Sequence, residues 1–173
     1  ISLRPRIYSS PDSQLEISCS MGLNVPFSRD LQRINGITLP VDLQPSTRSY
    51  GLIGQSNIIR EFPFRSVNLV LINRIEKYFT NKQNYSYGNL FSTSFFFSKY
   101  FSVESSRLNG CTIIMQVKNQ IKSQHLSEGE PIIGSGNCSF FIIPQLSLSL
   151  ADNWNISMLV DVPFYQYFNG IQL

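Results

Sequence analysis

Residues Cys138–Leu173 read CSFFIIPQLSLSLADNWNISMLVDVPFYQYFNGIQL, and the spacing inside this stretch decides the fold class. From Ile142 the even positions are apolar or Pro (Ile142, Pro144, Leu146, Leu148, Leu150), with Gln145, Ser147 and Ser149 between them. After Ala151-Asp152-Asn153 the alternation resumes as Trp154, Ile156, Met158, Val160 and Val162 against Asn155, Ser157 and Asp161. Strand side chains alternate between faces, so the stretch predicts a tight hairpin with one apolar and one polar face. Each arm is about 12 residues, roughly twice a usual globular strand. That is close to the ~9–11 residues a tilted strand needs to cross a bilayer.

The same alternation recurs upstream. Ile1–Tyr8 alternates weakly up to a turn at Ser9–Ser13. From 14 to 27, Leu15, Ile17, Cys19, Met21, Leu23, Val25 and Phe27 share one face, and Gln14, Glu16, Ser18, Ser20, Gly22 and Asn24 the other. Further strands are expected over Ser49–Phe62, Ser66–Phe79, Leu90–Phe101 and Cys111–Lys122, making eight with the closing hairpin. The connections alternate between tight (9–13, 63–65, 151–153) and long (28–48, 80–89, 123–136), with 102–110 intermediate. Outer-membrane barrels have short turns on one side and long loops on the other, whereas a soluble sandwich has no reason to keep that order.

Composition agrees. Charged residues are 14% and aromatics 13% of the 173 residues, against ~25% charged in ordinary soluble domains. A polar lumen, an apolar belt and aromatic girdles call for that mixture. Tyr8, Phe27, Tyr50, Phe62, Tyr78, Phe79, Tyr100, Phe101, Trp154, Phe164 and Tyr165 gather near strand ends. Pro144, in mid-strand, suggests a bulge. The net charge of +3 gives no footprint for nucleic acid, and no apolar run is long enough for a transmembrane helix.

The expected fold is therefore all-β: one domain over 1–173, an antiparallel up-and-down transmembrane β-barrel of outer-membrane type. With 9–13 and 151–153 as periplasmic turns, both ends of the sequence fall outside. Single-chain barrels of this type keep both termini inside and an even strand number, so at least one strand is expected to be missing at each end, and the sequence to be an internal piece of a barrel of ten or more strands.

Carrying the alternation through, the lumen-lining set is Arg4, Arg6, Glu16, Arg74, Glu76, Gln116, Lys118, Gln120, Lys122, Gln145 and Asp161, together with Gln14, Asn24, Asn68, Ser147, Ser149 and Asn155. Rings of charge tune what a pore admits, and mixed charge also braces a lumen through ion pairs. Cys19, Cys111 and Cys138 fall on the apolar face of separate strands. Cys111 and Cys138 sit at opposite ends of neighbouring strands, which disfavours a disulfide.

Two segments echo each other: Met21–Phe27 followed by Asn35-Gly36-Ile37, and Met158–Phe164 followed by Asn169-Gly170-Ile171. Both read as strands that exit through Val-Pro-Phe into an Asn-Gly loop. Residues Pro144–Leu173, especially Trp154, Val162-Pro163-Phe164-Tyr165-Gln166 and Asn169-Gly170-Ile171-Gln172-Leu173, resemble the bacterial outer-membrane transporter-like family associated with the MetA pathway of phenol degradation, Bacteroidota members above all. Leu43-Gln44-Pro45-Ser46-Thr47 resembles that family's Gln-rich loop entry. The resemblance implies a membrane-spanning barrel in a Gram-negative outer membrane and carries no substrate with it.

Chemistry is sparse. The single histidine, His125, lies in a polar loop with Ser123, Ser127, Glu128 and Glu130, a composition that loops produce without catalysis. No metal-ligand spacing, phosphate loop or dinucleotide motif is present, so neither an enzyme, a metal nor a cofactor is expected. The triplets Asn84-Tyr85-Ser86, Asn137-Cys138-Ser139 and Asn155-Ile156-Ser157 fit a glycosylation pattern that Asn/Ser-rich sequence yields by itself. Three readings of function follow: a passive channel or transporter for small molecules; a structural or docking barrel in an envelope complex, with loops 28–48 and 123–136 as contacts; or a secreted soluble β-sandwich that binds a ligand. The first two place the chain in a lipid bilayer.

Overall fold

The structure, a computed structural model, describes residues 2–3, 5–26, 32–38, 48–103, 108–150 and 154–170. It is all-β and antiparallel. The strands are β1 (Ser2–Leu3), β2 (Arg6–Ser10), β3 (Leu15–Asn24), β4 (Arg33–Ile34), β5 (Ile37–Thr38), β6 (Gly51–Phe62), β7 (Val67–Tyr78), β8 (Tyr85–Ser86), β9 (Leu90–Ser102), β10 (Leu108–Lys122), β11 (Leu126–Ser127), β12 (Glu130–Pro131), β13 (Asn137–Leu150), β14 (Trp154–Leu159) and β15 (Val162–Phe168).

One sheet dominates, in the order β1-β3-β6-β7-β9-β10-β13-β14, with β2 also on β3 and β15 also on β13. Leaving aside the short strands within the long connections, and counting β1/β2 and β14/β15 each as one interrupted edge strand, each strand pairs with the next one in sequence. This is a meander. Alternation 2.0 residues long can lie only one way on a pleated sheet, and the registers keep it in phase: Ser18 faces Asn57, Asn57 faces Ile72, Ile72 faces Ser94, Ser94 faces Lys118. The tight connections 9–13 and 63–65 lie at one end, where the Glu61 amide donates to the Gln14 carbonyl at 3.1 Å. Pro63–Arg65 forms a 3-10 turn closed by Ser66 in the left-handed region.

The sheet is inside-out relative to a soluble domain. Met21 is 77% exposed on the apolar face of β3, whereas Ser18 on its polar face is 2% exposed. Among the described residues the buried apolar side chains are Tyr85 and Ile143, and neither sits on the apolar face. No second sheet lies against that face among the described residues. The more enclosed side of a single layer is the side toward which it curves, so the sheet bends around its polar face. Among the described residues the two edges, β1/β2 and β14/β15, do not pair with each other.

Several expectations are corrected. The strand after Trp154 runs on to Phe168 rather than opening into a loop after Phe164, and it breaks at Val160-Asp161. Val162-Pro163-Phe164 is therefore inside a strand, whereas Val25-Pro26 follows β3, so the two echoing segments are not structural equivalents. The bulge expected at Pro144 appears instead in its neighbour, with the register slipping around Phe164 between Phe140 and Phe141. The long connections also hold structure of their own. Asn35 and Gly36, both at positive φ, turn β4 into β5, as an Asn-Gly pair favours. Glu128 and Gly129 do the same between β11 and β12.

Candidate functional site: the polar face and its loop cap

The registers place Arg6, Glu16, Arg74, Glu76, Gln116, Lys118, Gln120, Lys122 and Gln145 on the polar face, with Ser147 and Ser149. Arg4 lies outside the described residues. Asp161 does not join this ladder: it falls in the break between β14 and β15 and is exposed. The break comes opposite Pro144, which has no amide proton to hold the neighbouring strand.

Polar groups on this face bond mainly to one another. Asn57 Nδ2 donates to Ser18 Oγ at 3.3 Å, and Gln55 Nε2 to Asn57 Oδ1 at 2.8 Å. Gln116 Nε2 donates to Ser94 Oγ at 3.3 Å, and Ser149 Oγ to Asn155 Oδ1 at 2.8 Å. Ser147 and Ser157 share a hydroxyl–hydroxyl bond of 2.6 Å. Enclosed polar groups need such partners, and for most of these a neighbouring strand supplies them, whereas Asn137 Oδ1 is buried without one among the described residues.

Charge divides the face in two. On its β2–β7 half, Arg6 pairs with Glu16 at 3.3 Å and Arg74 with Glu76 at 2.7 Å. The Tyr78 hydroxyl also donates to Glu76, at 2.6 Å. Residues 74, 76 and 78 share one face by strand period, which puts the guanidinium and the phenol on either side of one carboxylate. On the β9–β10–β13 half the charged groups are Lys118 and Lys122, with no carboxylate opposite them in the ladder. Lys118 lies 5.8 Å from the Phe141 ring centroid.

The apolar face carries one polar row. Ser56, Asn73, Thr93 and Asn119 follow one another across β6, β7, β9 and β10. Thr93 Oγ1 donates to Asn73 Oδ1 at 2.9 Å and Asn73 Nδ2 to Ser56 Oγ at 3.4 Å. Charges on this face stay near its ends: Arg60 sits 4.9 Å from the Phe62 ring centroid and Lys99 5.0 Å from that of Phe101. Cys19, Cys111 and Cys138 are free thiols on this face.

At the end with the long connections, loops 80–89 and 123–136 fold together rather than standing as separate surfaces. Strands β12, β11 and β8 form a three-stranded sheet. His125, expected as an ordinary loop histidine, is 8% exposed, and its Nδ1 lies 2.5 Å from the hydroxyl of Tyr85, itself 6% exposed. The His125 amide donates to Ser135 Oγ at 2.9 Å, and Asn81 Oδ1 accepts from the amides of Gln83 and Tyr85. Tyr87 bridges to the main sheet, with ring centroids 4.9 Å from Tyr85, 5.4 Å from His125 and 6.0 Å from Tyr78. A continuous path of contacts thus runs from Arg74 through Glu76, Tyr78 and Tyr87 to His125.

No protein-family model, curated protein or solved structure matches the chain. The site therefore has to be read from its own chemistry. Among the described residues no group of three or more His, Cys, Asp or Glu is placed to hold a metal ion. What the polar face offers is a long hydrogen-bonding surface. The cap residues Tyr85 and Tyr87 escaped the sequence reading because the strands there are two residues long and have no period to detect.

Proposed function

We propose that the chain forms part of an outer-membrane β-barrel that works as a passive channel or transporter for small molecules, its polar face lining a water-filled lumen. The observation that carries this reading is the inverted sheet: a meander with enclosed polar side chains and an uncovered apolar face. In water, a bare apolar face this long loses the burial that stabilises a soluble fold, roughly 25 cal/mol per Å². In hydrocarbon it loses nothing. Strands β9, β10 and β13, of 13, 15 and 14 residues, exceed the ~9–11 residues that span a bilayer at a tilt. Cations lying over aromatic rings near the apolar margin suit an interface where long side chains reach back to water. The resemblance to the outer-membrane transporter-like family points the same way and rests on sequence alone. Among the described residues the two edges do not meet, and in this reading further strands, from the same chain or from another, close the barrel.

The folded cap favours a second reading, a docking barrel in an envelope assembly, because ordered loops with buried aromatics offer a fixed surface. Planar-bilayer recording on the full-length protein separates the two. Steady conductance steps are expected of the channel; a closed bilayer with detergent-dependent solubility and heat-modifiable gel migration overturns it in favour of the scaffold. Solubility without detergent overturns both.

A further inference from the structure

We propose that the β9–β10–β13 half of the polar face is an anion-accepting strip, with Lys118 and Lys122 holding small solutes that carry a carboxylate, sulfate or phosphate group. The inference rests on the lumen reading and adds a substrate class to it. Its basis is charge placement. The carboxylates of Glu16 and Glu76 are each engaged by an arginine, so those two pairs cancel locally. Across β9, β10 and β13 the polar-face ladder holds no Asp or Glu, and Lys118 and Lys122 are its charged members. Four residues apart on one strand, they lie ~13 Å from each other, close enough for an anion to pass from one to the next. Between and beside them lie Ser92, Gln120 and Ser139 in one cross-strand row, with Ser94 opposite Lys118. These are neutral donors suited to the uncharged part of a hydrated solute. A strip with cations and hydrogen-bond donors but no carboxylate repels cations and receives anions.

The experiment uses the full-length protein in two measurements. In planar bilayers under a KCl gradient, the reversal potential is expected to report chloride preference. Each Lys→Gln at 118 or 122 should lower the chloride-to-potassium permeability ratio about 2–3-fold, as one charge ~7 Å from a passing ion implies once salt screening roughly halves its opposite effects on the two ions. K118R and K122R should retain the preference, as should K99Q on the apolar face. In detergent, a trisulfonated pyrene dye should bind the wild-type chain and bind the K118Q/K122Q variant at least about fivefold more weakly, by the same Coulomb reasoning. Conductance that is cation-selective, or unmoved by the substitutions, overturns the anion strip and leaves the channel standing. Dye binding through the lysines without conductance overturns the channel and keeps the strip. Loss of both signals overturns both.

Discussion

The Val160 amide donates to the Pro144 carbonyl at 3.2 Å, and at this pair the edge strand divides into β14 and β15. In an antiparallel ladder the amide and carbonyl of one residue face the same neighbour. Pro144 therefore gives β14/β15 an acceptor and no donor, leaving the reciprocal bond to the Val160 carbonyl unmade. The irregularity falls on the partner strand because β13 is held in register by β10 on its other side, Pro144 lying opposite Met115.

Pro144→Val should supply the missing donor. The expected gain is about 0.5–1.5 kcal/mol, the net worth of one hydrogen bond. Amide exchange at Leu159–Asp161 should slow accordingly. Unchanged exchange there would trace the break to Pro163 and the bulge at Phe164 instead.

Much of this fold was legible because its period is simple. Two-residue alternation located the eight strand positions of the main sheet, and every described polar-face residue on the ladder fell on its expected side. The residues that misled are those whose geometry depends on a neighbour. Asp161 alternates correctly in sequence yet sits in a break opposite Pro144, 17 positions earlier in the chain. His125 is a loop histidine, as expected, but its burial comes from Tyr85 and Tyr87, on a different loop. Pairing within the charged set, which decides where net charge remains, depends on cross-strand register and rotamer and is absent from any one-dimensional pattern.

The cap makes a second test. Tyr85→Phe removes the hydroxyl that meets His125 and should weaken the loop pairing by about 1 kcal/mol, a roughly fivefold rise in local amide exchange. Gly88→Ala should do more: an added Cβ would run into the Ser123 carbonyl, a backbone atom that cannot step aside. Limited proteolysis should then cut within 123–136 while the main sheet stays intact. Equal protection in wild type and both variants would mean the two loops do not pack.

Glu76 joins Arg74 to Tyr78, so its loss leaves a guanidinium and a phenol without their shared acceptor. Glu76→Gln keeps the shape and removes the charge. It should cost about 1–2 kcal/mol, discounted because Arg74 remains partly in water. Chemical unfolding of E76Q, of R74Q and of the double variant should show coupling between the two sites. Additive effects would leave the pair without energetic weight.

The deciding prediction concerns the bare face. Met115 lies midway along β10 on the apolar side, and Phe101 lies near the tight-turn end of β9, opposite Cys111. On a lipid-facing strand an arginine costs ~2–4 kcal/mol at mid-depth and ~0–1 kcal/mol near an interface. Met115→Arg should therefore destabilise the folded protein in vesicles far more than Phe101→Arg, as read by denaturant unfolding. On a sheet bathed in water the order disappears, since both side chains are already exposed and a guanidinium is well hydrated there. Thiol labelling gives a second reading of the same face: Cys19, in mid-strand on β3, should resist a charged maleimide and react with a lipid-soluble one, while Cys111 and Cys138, near strand ends, should be less protected. A cysteine placed at Gln116, on the other face of the same strand, should react with the charged reagent. If Met115→Arg is neutral and Cys19 labels freely with the charged reagent in vesicles, the apolar face is not against hydrocarbon.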